Sequence, residues 1–288
     1  MEQFFNTYNF FYNELKKKIV PKKYFYIDNG TYMNKLLSGE ISEAMQIYWR
    51  EMLFRIHFVA TSSILRNAEW IDGIVFGIQT SNTMVFASSL RGLLEAVTDS
   101  FYSLDSVPFG IALNFNKIKK AVEGKAYVPC YAGDLEKALI HFEFASKDKN
   151  NENKSLSAMR YITEYDESSN VDTKNLYKQL CNIVHPADGS LKAFKREIEV
   201  SDEISYSTIC FDEDTIIKTI WNENEASIKV LVKMSILLPL LCLKVLNELE
   251  FDDVSAKYIE NCKAIQLIRE EDFQKFKEMM ELGEDYLK

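Results

Sequence analysis

Apolar positions along this chain recur at three- and four-residue spacings over stretches far longer than a strand. From Ser42 to about Ile78 the series Ala44, Ile47, Tyr48, Met52, Phe54, Ile56, Val59, Ile64 and Leu65 runs without a proline. That spacing predicts one long helix, or two with a break near Gly73 or Gly77. From Thr80 to Leu104, Phe86, Leu90, Leu93, Val97 and Phe101 fall on a single stripe, which predicts a second long helix. Two long helices joined by so short a connection form an antiparallel hairpin.

Shorter patterns surround this pair. The stretch Glu2 to Val20 alternates paired aromatics with polar positions and ends in Lys16-Lys17-Lys18 before Pro21, cations and a proline that mark a helix terminus. Helices are predicted over Gly30 to Leu37, from Pro108 to about Glu123, and from Asp134 to Ser146 with Asp134 as N-cap. Others are predicted over Asn175 to Val184 behind Asp172 or Thr173, Asp212 through Trp221 to Leu249, Val254 to Ile268 and Asp272 to Leu287. The polar run at 147–155 predicts a loop. After Gly189 the texture changes: EIEV and ISYSTICF alternate and are β-branched, which predicts a small hairpin near 195–211. The expected architecture is all-α, a multi-helix bundle with long antiparallel helices. Its core would span residues 1–250, with the hairpin as an insertion at 191–211 and residues 251–288 as a C-terminal helical appendage.

Composition sharpens that picture. In 288 residues there are only 10 glycines and 5 prolines, so turns are few and elements long. Apolar residues make up 47%, with 19 Phe and 15 Tyr, enough for a large aromatic-rich core. The apolar run Met234 to Leu243, closed by Lys233 and Lys244, is half the length a bilayer requires; it predicts a buried core helix bent near Pro239 and no membrane partner. The N-terminus lacks a basic start followed by an apolar run, and five scattered cysteines form no Cys-x-x-Cys pair, so a cytoplasmic location with reduced thiols is expected. A formal charge of −9 gives no general attraction to phosphate backbones, so any nucleic-acid chemistry needs a local cationic site.

Two places offer such chemistry. One of three histidines, His185, stands directly before Pro186, where the helix from Asn175 must end. The partial negative charge of a helix C-terminus favours the imidazolium form, which suits a proton-handling group. On helical geometry Lys178, Cys181 and His185 project opposite Leu176, Leu180 and Ile183, with Tyr177 at the flank. The other place is Arg91 with Glu95, four residues apart and opposite the Phe86, Leu90, Leu93 stripe. Small or apolar neighbours (Ala87, Ser88, Leu94) suggest a covered ion pair that needs a reason. His57 and His141 sit among aromatics and are expected to serve packing. No phosphate-cradling glycine loop, no nucleophile elbow and no histidine–carboxylate cluster at metal spacing occurs, so neither a cofactor nor a metal is expected.

Over roughly residues 42 to 190, Arg91-Gly-Leu-Leu-Glu95 on one long helix, with Tyr177-x-x-Leu180 leading into Val184-His185-Pro186, resembles the HEPN-type helical bundle proteins of prokaryotes. That resemblance implies a small bundle, often homodimeric, and in many members a metal-independent ribonuclease of toxin–antitoxin or anti-phage systems. The family signature is an arginine, four to six intervening residues and then a histidine; here the widest spacing meets Lys178 and the shorter ones Gln179 and Leu180. A lysine supplies charge without the two-pronged phosphate contact of arginine. If the helices pack side by side, Arg91 supplies the guanidinium from another element, oriented by Glu95. His185 then acts as general acid or base on RNA or a nucleotide, with Arg91 and Lys178 stabilising charge on phosphorus. A homo-oligomer would bring two such half-sites together. The alternative is a non-catalytic interaction or sensor module in a defence or regulatory complex, with exposed aromatics contacting a protein partner.

Overall fold

The computed structural model describes residues 1–148, 153–186, 188–191, 194–200, 205–209 and 212–283. In chain order its helices are α1 (Glu2–Lys18), α2 (Asn29–Leu37), α3 (Ile41–Gln79), α4 (Thr83–Leu104), α5 (Val107–Leu113), α6 (Phe115–Val122), α7 (Gly133–Phe144), α8 (Ala158–Ser169), α9 (Lys174–Val184), α10 (Asp188–Leu191), α11 (Glu213–Glu248) and α12 (Glu270–Leu282). Among the described residues one hairpin pairs β1 (Lys195–Val200) with β2 (Ser205–Ile209) antiparallel, from Lys195 opposite Ile209 to Val200 opposite Ser205, with a bulge between Glu197 and Glu199. The fold is an all-α multi-helix bundle carrying that one hairpin. Residues Ser201-Asp202-Glu203, expected as its turn, lie outside the described residues, as do the middle of the polar run at 149–152 and the last five positions.

Several elements depart from the periodicity for local reasons. α3 runs unbroken through Gly73 and Gly77, because these glycines serve close approach rather than flexibility. A Cβ on Gly77 would lie 2.6 Å from the backbone nitrogen of Phe86, and one on Gly73 2.4 Å from Ser89 Oγ. From the facing helix, Gly92 does the same for Trp70, 2.7 Å from where its Cβ would be. The turn closes at Ser81, with φ of 51°, and Asn82 Oδ1 accepts from Val85 N at 3.0 Å to cap α4. The stretch from Pro108 to Glu123 is two helices, not one. Asp134 lies in the first turn of α7, and Ala132, two residues before it, holds the N-cap position without a side-chain bond. Residues 252–267 form three short 3-10 turns in place of the helix expected from Val254 to Ile268.

In α11 the non-helical residue is Asn224 (φ −126°, ψ 17°), not a position near Pro239. Asn224 Nδ2 donates to the carbonyl of Ile220 at 2.9 Å and to Gln179 Oε1 at 2.8 Å, a side-chain amide competing with the backbone ladder. Proline at 239 leaves the Ser235 carbonyl without its usual donor, and Asn67 Nδ2, fully buried, takes that carbonyl at 2.9 Å. The accounting closes locally. Among the described residues α11 is long and apolar enough to cross a membrane, and 56% of its most apolar window is buried inside the protein.

The chain groups into two compact units, each drawn from three stretches: residues 1–13, 65–98 and 157–235 in the first, residues 14–64, 99–156 and 236–288 in the second. The boundary expected at 250/251 is not where the contacts divide the chain. The first unit has Phe86, Leu90, Leu93, Ile71, Leu176, Leu180 and Ile217 at its core, each with no solvent exposure. The second is centred on the first half of α3, where Met45, Leu53 and Ile56 are fully buried. There the segment after α1 lies on α3 through Tyr24, whose hydroxyl meets His57 Nδ1 at 2.8 Å.

Candidate functional site

The first unit holds every residue of the candidate site. α9 turns Leu176, Leu180 and Ile183 inward and leaves Lys178 and His185 exposed, as its period dictates. At its start Thr173 makes no side-chain cap bond, while Asp172 Oδ1 accepts from Asn175 N at 3.5 Å. Asp166 of α8, itself buried, accepts from Thr173 N at 3.0 Å, Thr173 Oγ1 at 2.7 Å and Lys174 N at 3.3 Å. A carboxylate at a helix N-terminus answers both the orphan donors and the dipole. At the other end His185 N closes the last turn on Cys181 O at 2.9 Å. The residue is then extended (φ −81°, ψ 149°), as Pro186 requires. The imidazole is thus fixed at the point where the helix stops.

α4 supplies the facing side. Arg91 Nε donates to Glu95 Oε1 at 3.1 Å, and Tyr177 OH donates to the same oxygen at 3.0 Å. The guanidinium lies over the Tyr177 ring, 5.6 Å from its centre, and its Nη1 comes within 3.4 Å of His185 Nε2. Two stretches of backbone 94 residues apart therefore bring a guanidinium and an imidazole into contact. The pair is partly covered, with side-chain exposures of 24% for Arg91 and 38% for Glu95.

Burial, and after it the Glu95 carboxylate, push the Tyr177 phenol up to about 12, so it stays a donor at neutral pH. For Arg91, burial opposes the charge, but the bond to Tyr177 and the Glu95 carboxylate outweigh it and raise its pKa further. A guanidinium can only donate, so this contact is a hydrogen bond in the tautomer that leaves Nε2 its lone pair. Of the five guanidinium N–H groups one goes to Glu95 and one to His185, and the Tyr177 hydroxyl also lies within hydrogen-bonding reach of the group. This is the equipment for holding an anionic oxygen beside a base.

Of the residues singled out in the sequence, Arg91, Glu95 and His185 meet; Lys178 does not join them. It is exposed and sits seven residues before His185, about 10 Å away along the helix axis. Tyr177 is the member that the sequence placed only at the flank. The signal was its four-residue spacing to Cys181 and again to His185, a row on one face of α9. His57 is buried in the second unit, paired with Tyr24, and the His141 ring packs 5.3 Å from that of Tyr102. Compared with family models, curated proteins and solved structures, the chain matches none.

Proposed function

We propose that Arg91, Glu95, Tyr177 and His185 form the reacting half-site of a HEPN-like ribonuclease, an effector of the kind found in prokaryotic anti-phage or toxin–antitoxin systems. The observation that carries this reading is the 3.4 Å approach of Arg91 Nη1 to His185 Nε2, with Arg91 held from behind by Glu95. In this scheme an RNA phosphate oxygen displaces His185 as the acceptor for Nη1, because a long neutral contact yields to a charged one. The freed Nε2 takes the proton of the neighbouring ribose 2′-hydroxyl, whose oxygen attacks phosphorus. The 5′-oxygen leaves and is protonated from solvent, and the phosphate is left as a 2′,3′-cyclic diester. Arg91 stabilises the charge that grows on the non-bridging oxygens, while Glu95 and Tyr177 fix its plane.

The signature arginine that the resemblance expects on α9 is replaced in this scheme by one from α4. The test is cleavage of single-stranded RNA in the presence of EDTA. The wild-type protein should cut, and His185→Ala and Arg91→Ala should each lose about a hundredfold or more in rate, the usual contribution of a general base or an oxyanion donor. Cleavage that His185→Ala retains in full would refute the scheme.

A further inference from the structure

Helix α2 buries none of its nine residues, although it carries Met33, Leu36 and Leu37. Helices this short are marginal without packing, so a partner on its open side would add what the surface beneath it does not. Tyr32 OH donates to Tyr131 OH at 3.3 Å and ties α2 to the segment before α7, whose Tyr131 ring packs edge-on against Tyr48 of α3 at 5.1 Å. On the other flank Ile27 N donates to Glu51 of α3, and the Arg55 guanidinium lies 4.7 Å above the Tyr26 ring. The segment before α2, α2 itself and the segment before α7 therefore lie together along the first half of α3. Phe25, Leu37, Tyr127 and Val128 stand out from them, each 70% exposed or more. With Ile27 and Tyr131 they open on the order of 700 Å² to solvent, taking about 150 to 200 Å² for each large side chain. A monomer seldom shows more than about 300 to 600 Å² of contiguous apolar surface unless another molecule covers it.

Charge decides which molecule that is. A single cation, Lys35, is shared between Glu40 at 2.5 Å and Glu43 at 2.7 Å, and Arg55 pairs with Glu143 while Glu51 stands one helical turn before it. Among the described residues neither Asp28, which caps α2, nor Glu136, beside Tyr32 and Tyr48, has an ion-pair partner. Lys23, ahead of Phe25, adds one cation, and the edge pairs Lys125–Glu123 and Lys137–Asp134 cancel internally. Carboxylates thus outnumber cations on this face. An apolar surface with uncompensated acid around it repels a nucleic acid, an anionic lipid surface and its own second copy alike, and attracts apolar side chains flanked by lysine or arginine. Among the described residues this unit has no sheet edge that an extended segment could join, so side chains must make the contact, as they do from one face of a helix.

We infer that this face docks a cationic amphipathic helix of a partner protein, its apolar stripe over Phe25, Leu37 and Val128 and its lysines or arginines toward Glu40, Glu43 and Glu136. Arg91 and His185 belong to the other unit, so the inference stands whether or not they cleave RNA. The probe is a fluorescent peptide of about 18 residues with leucine and lysine at helical spacing, beside a counterpart carrying glutamate for lysine, and the readout is anisotropy. The wild type should bind the lysine peptide at least about tenfold tighter than the glutamate one. Leu37→Ser with Val128→Ser, and separately Glu40→Gln with Glu43→Gln, should each weaken that binding by about tenfold. Leu37 and Val128 are exposed, so their replacement leaves the core intact, and unchanged circular dichroism verifies that. Glu225→Gln, on α11 in the other unit, should leave the affinity as it is. A lysine peptide that fails to bind, a glutamate peptide that binds as well, or an affinity that neither double variant changes overturns the inference. So does a dimer in sedimentation equilibrium, or binding to phosphatidylglycerol vesicles, that Leu37→Ser with Val128→Ser abolishes, because the face then belongs to a second copy or to a membrane.

Discussion

Glu95 Oε1 accepts two hydrogen bonds, from Arg91 Nε and Tyr177 OH, and this shared acceptor converts an ordinary i,i+4 ion pair into a fixed plane. An isolated exposed pair of this type contributes only about 0.3 to 0.5 kcal/mol and holds no geometry. The tyrosine from α9 supplies the third point of contact and covers the pair, so the guanidinium presents its remaining donors in one direction. His57 is the opposite kind of histidine. It is 3% exposed, and burial, then the nearby Lys22 charge, lower its pKa from 6.5 to about 4. Below pH 6.5 the unfolded chain binds a proton that the folded chain refuses. Stability is therefore fully present above pH 6.5 and falls as the pH drops toward 4, by about 3 kcal/mol at most for this one group. Urea midpoints measured between pH 7 and pH 4 should fall in the wild type and fall less in His57→Gln. Parallel curves for the two proteins would remove His57 as the cause.

At the scale of elements, the chain's long helices could be read from spacing because core-facing residues at 3.6-residue intervals report only on the helix that carries them. α3, α4 and α9 are of this kind, and the inward stripe Leu176, Leu180, Ile183 fixed which side of α9 would show His185. What spacing could not report is anything set by a facing element. Gly73 and Gly77 look like helix breakers until Phe86 and Ser89 are seen against them. The carbonyl that Pro239 frees is taken by Asn67 from a distant part of the chain, and Asn224 looks unremarkable until Gln179 is seen beside it. At the start of α9 Asp172 accepts from Asn175 N, and the shorter bonds come from Asp166 in the preceding helix, which spacing does not report. The glycines make opposite predictions testable in one experiment. Gly77→Ala forces a methyl into the Phe86 backbone and should destabilise by about 1 to 2 kcal/mol despite the better helix propensity of alanine. Gly110→Ala in α5, where a Cβ meets nothing within 4 Å, should stabilise by about 0.5 to 1 kcal/mol. Thermal midpoints shifting the same way in both variants would contradict this account of close helix approach.

For the molecule as a whole, an acidic chain of net charge −9 can act on a polyanion only through a local cationic group, and at the candidate site that group is Arg91, paired with Glu95 on the same helix. The organisation into two units, each assembled from three separated stretches, was invisible to spacing because it depends on which helices lie together. The same limit applied to the site: the residue types were legible, and their meeting was a matter of packing. The central claim is that Arg91 and His185 work as one device. A double-mutant cycle on RNA cleavage measures that directly, because residues acting as a unit lose their effect together. Arg91→Ala with His185→Ala should then cleave within about tenfold of the slower single variant. Losses that multiply to the product of the two single effects, or a wild type that leaves RNA uncut, would contradict it.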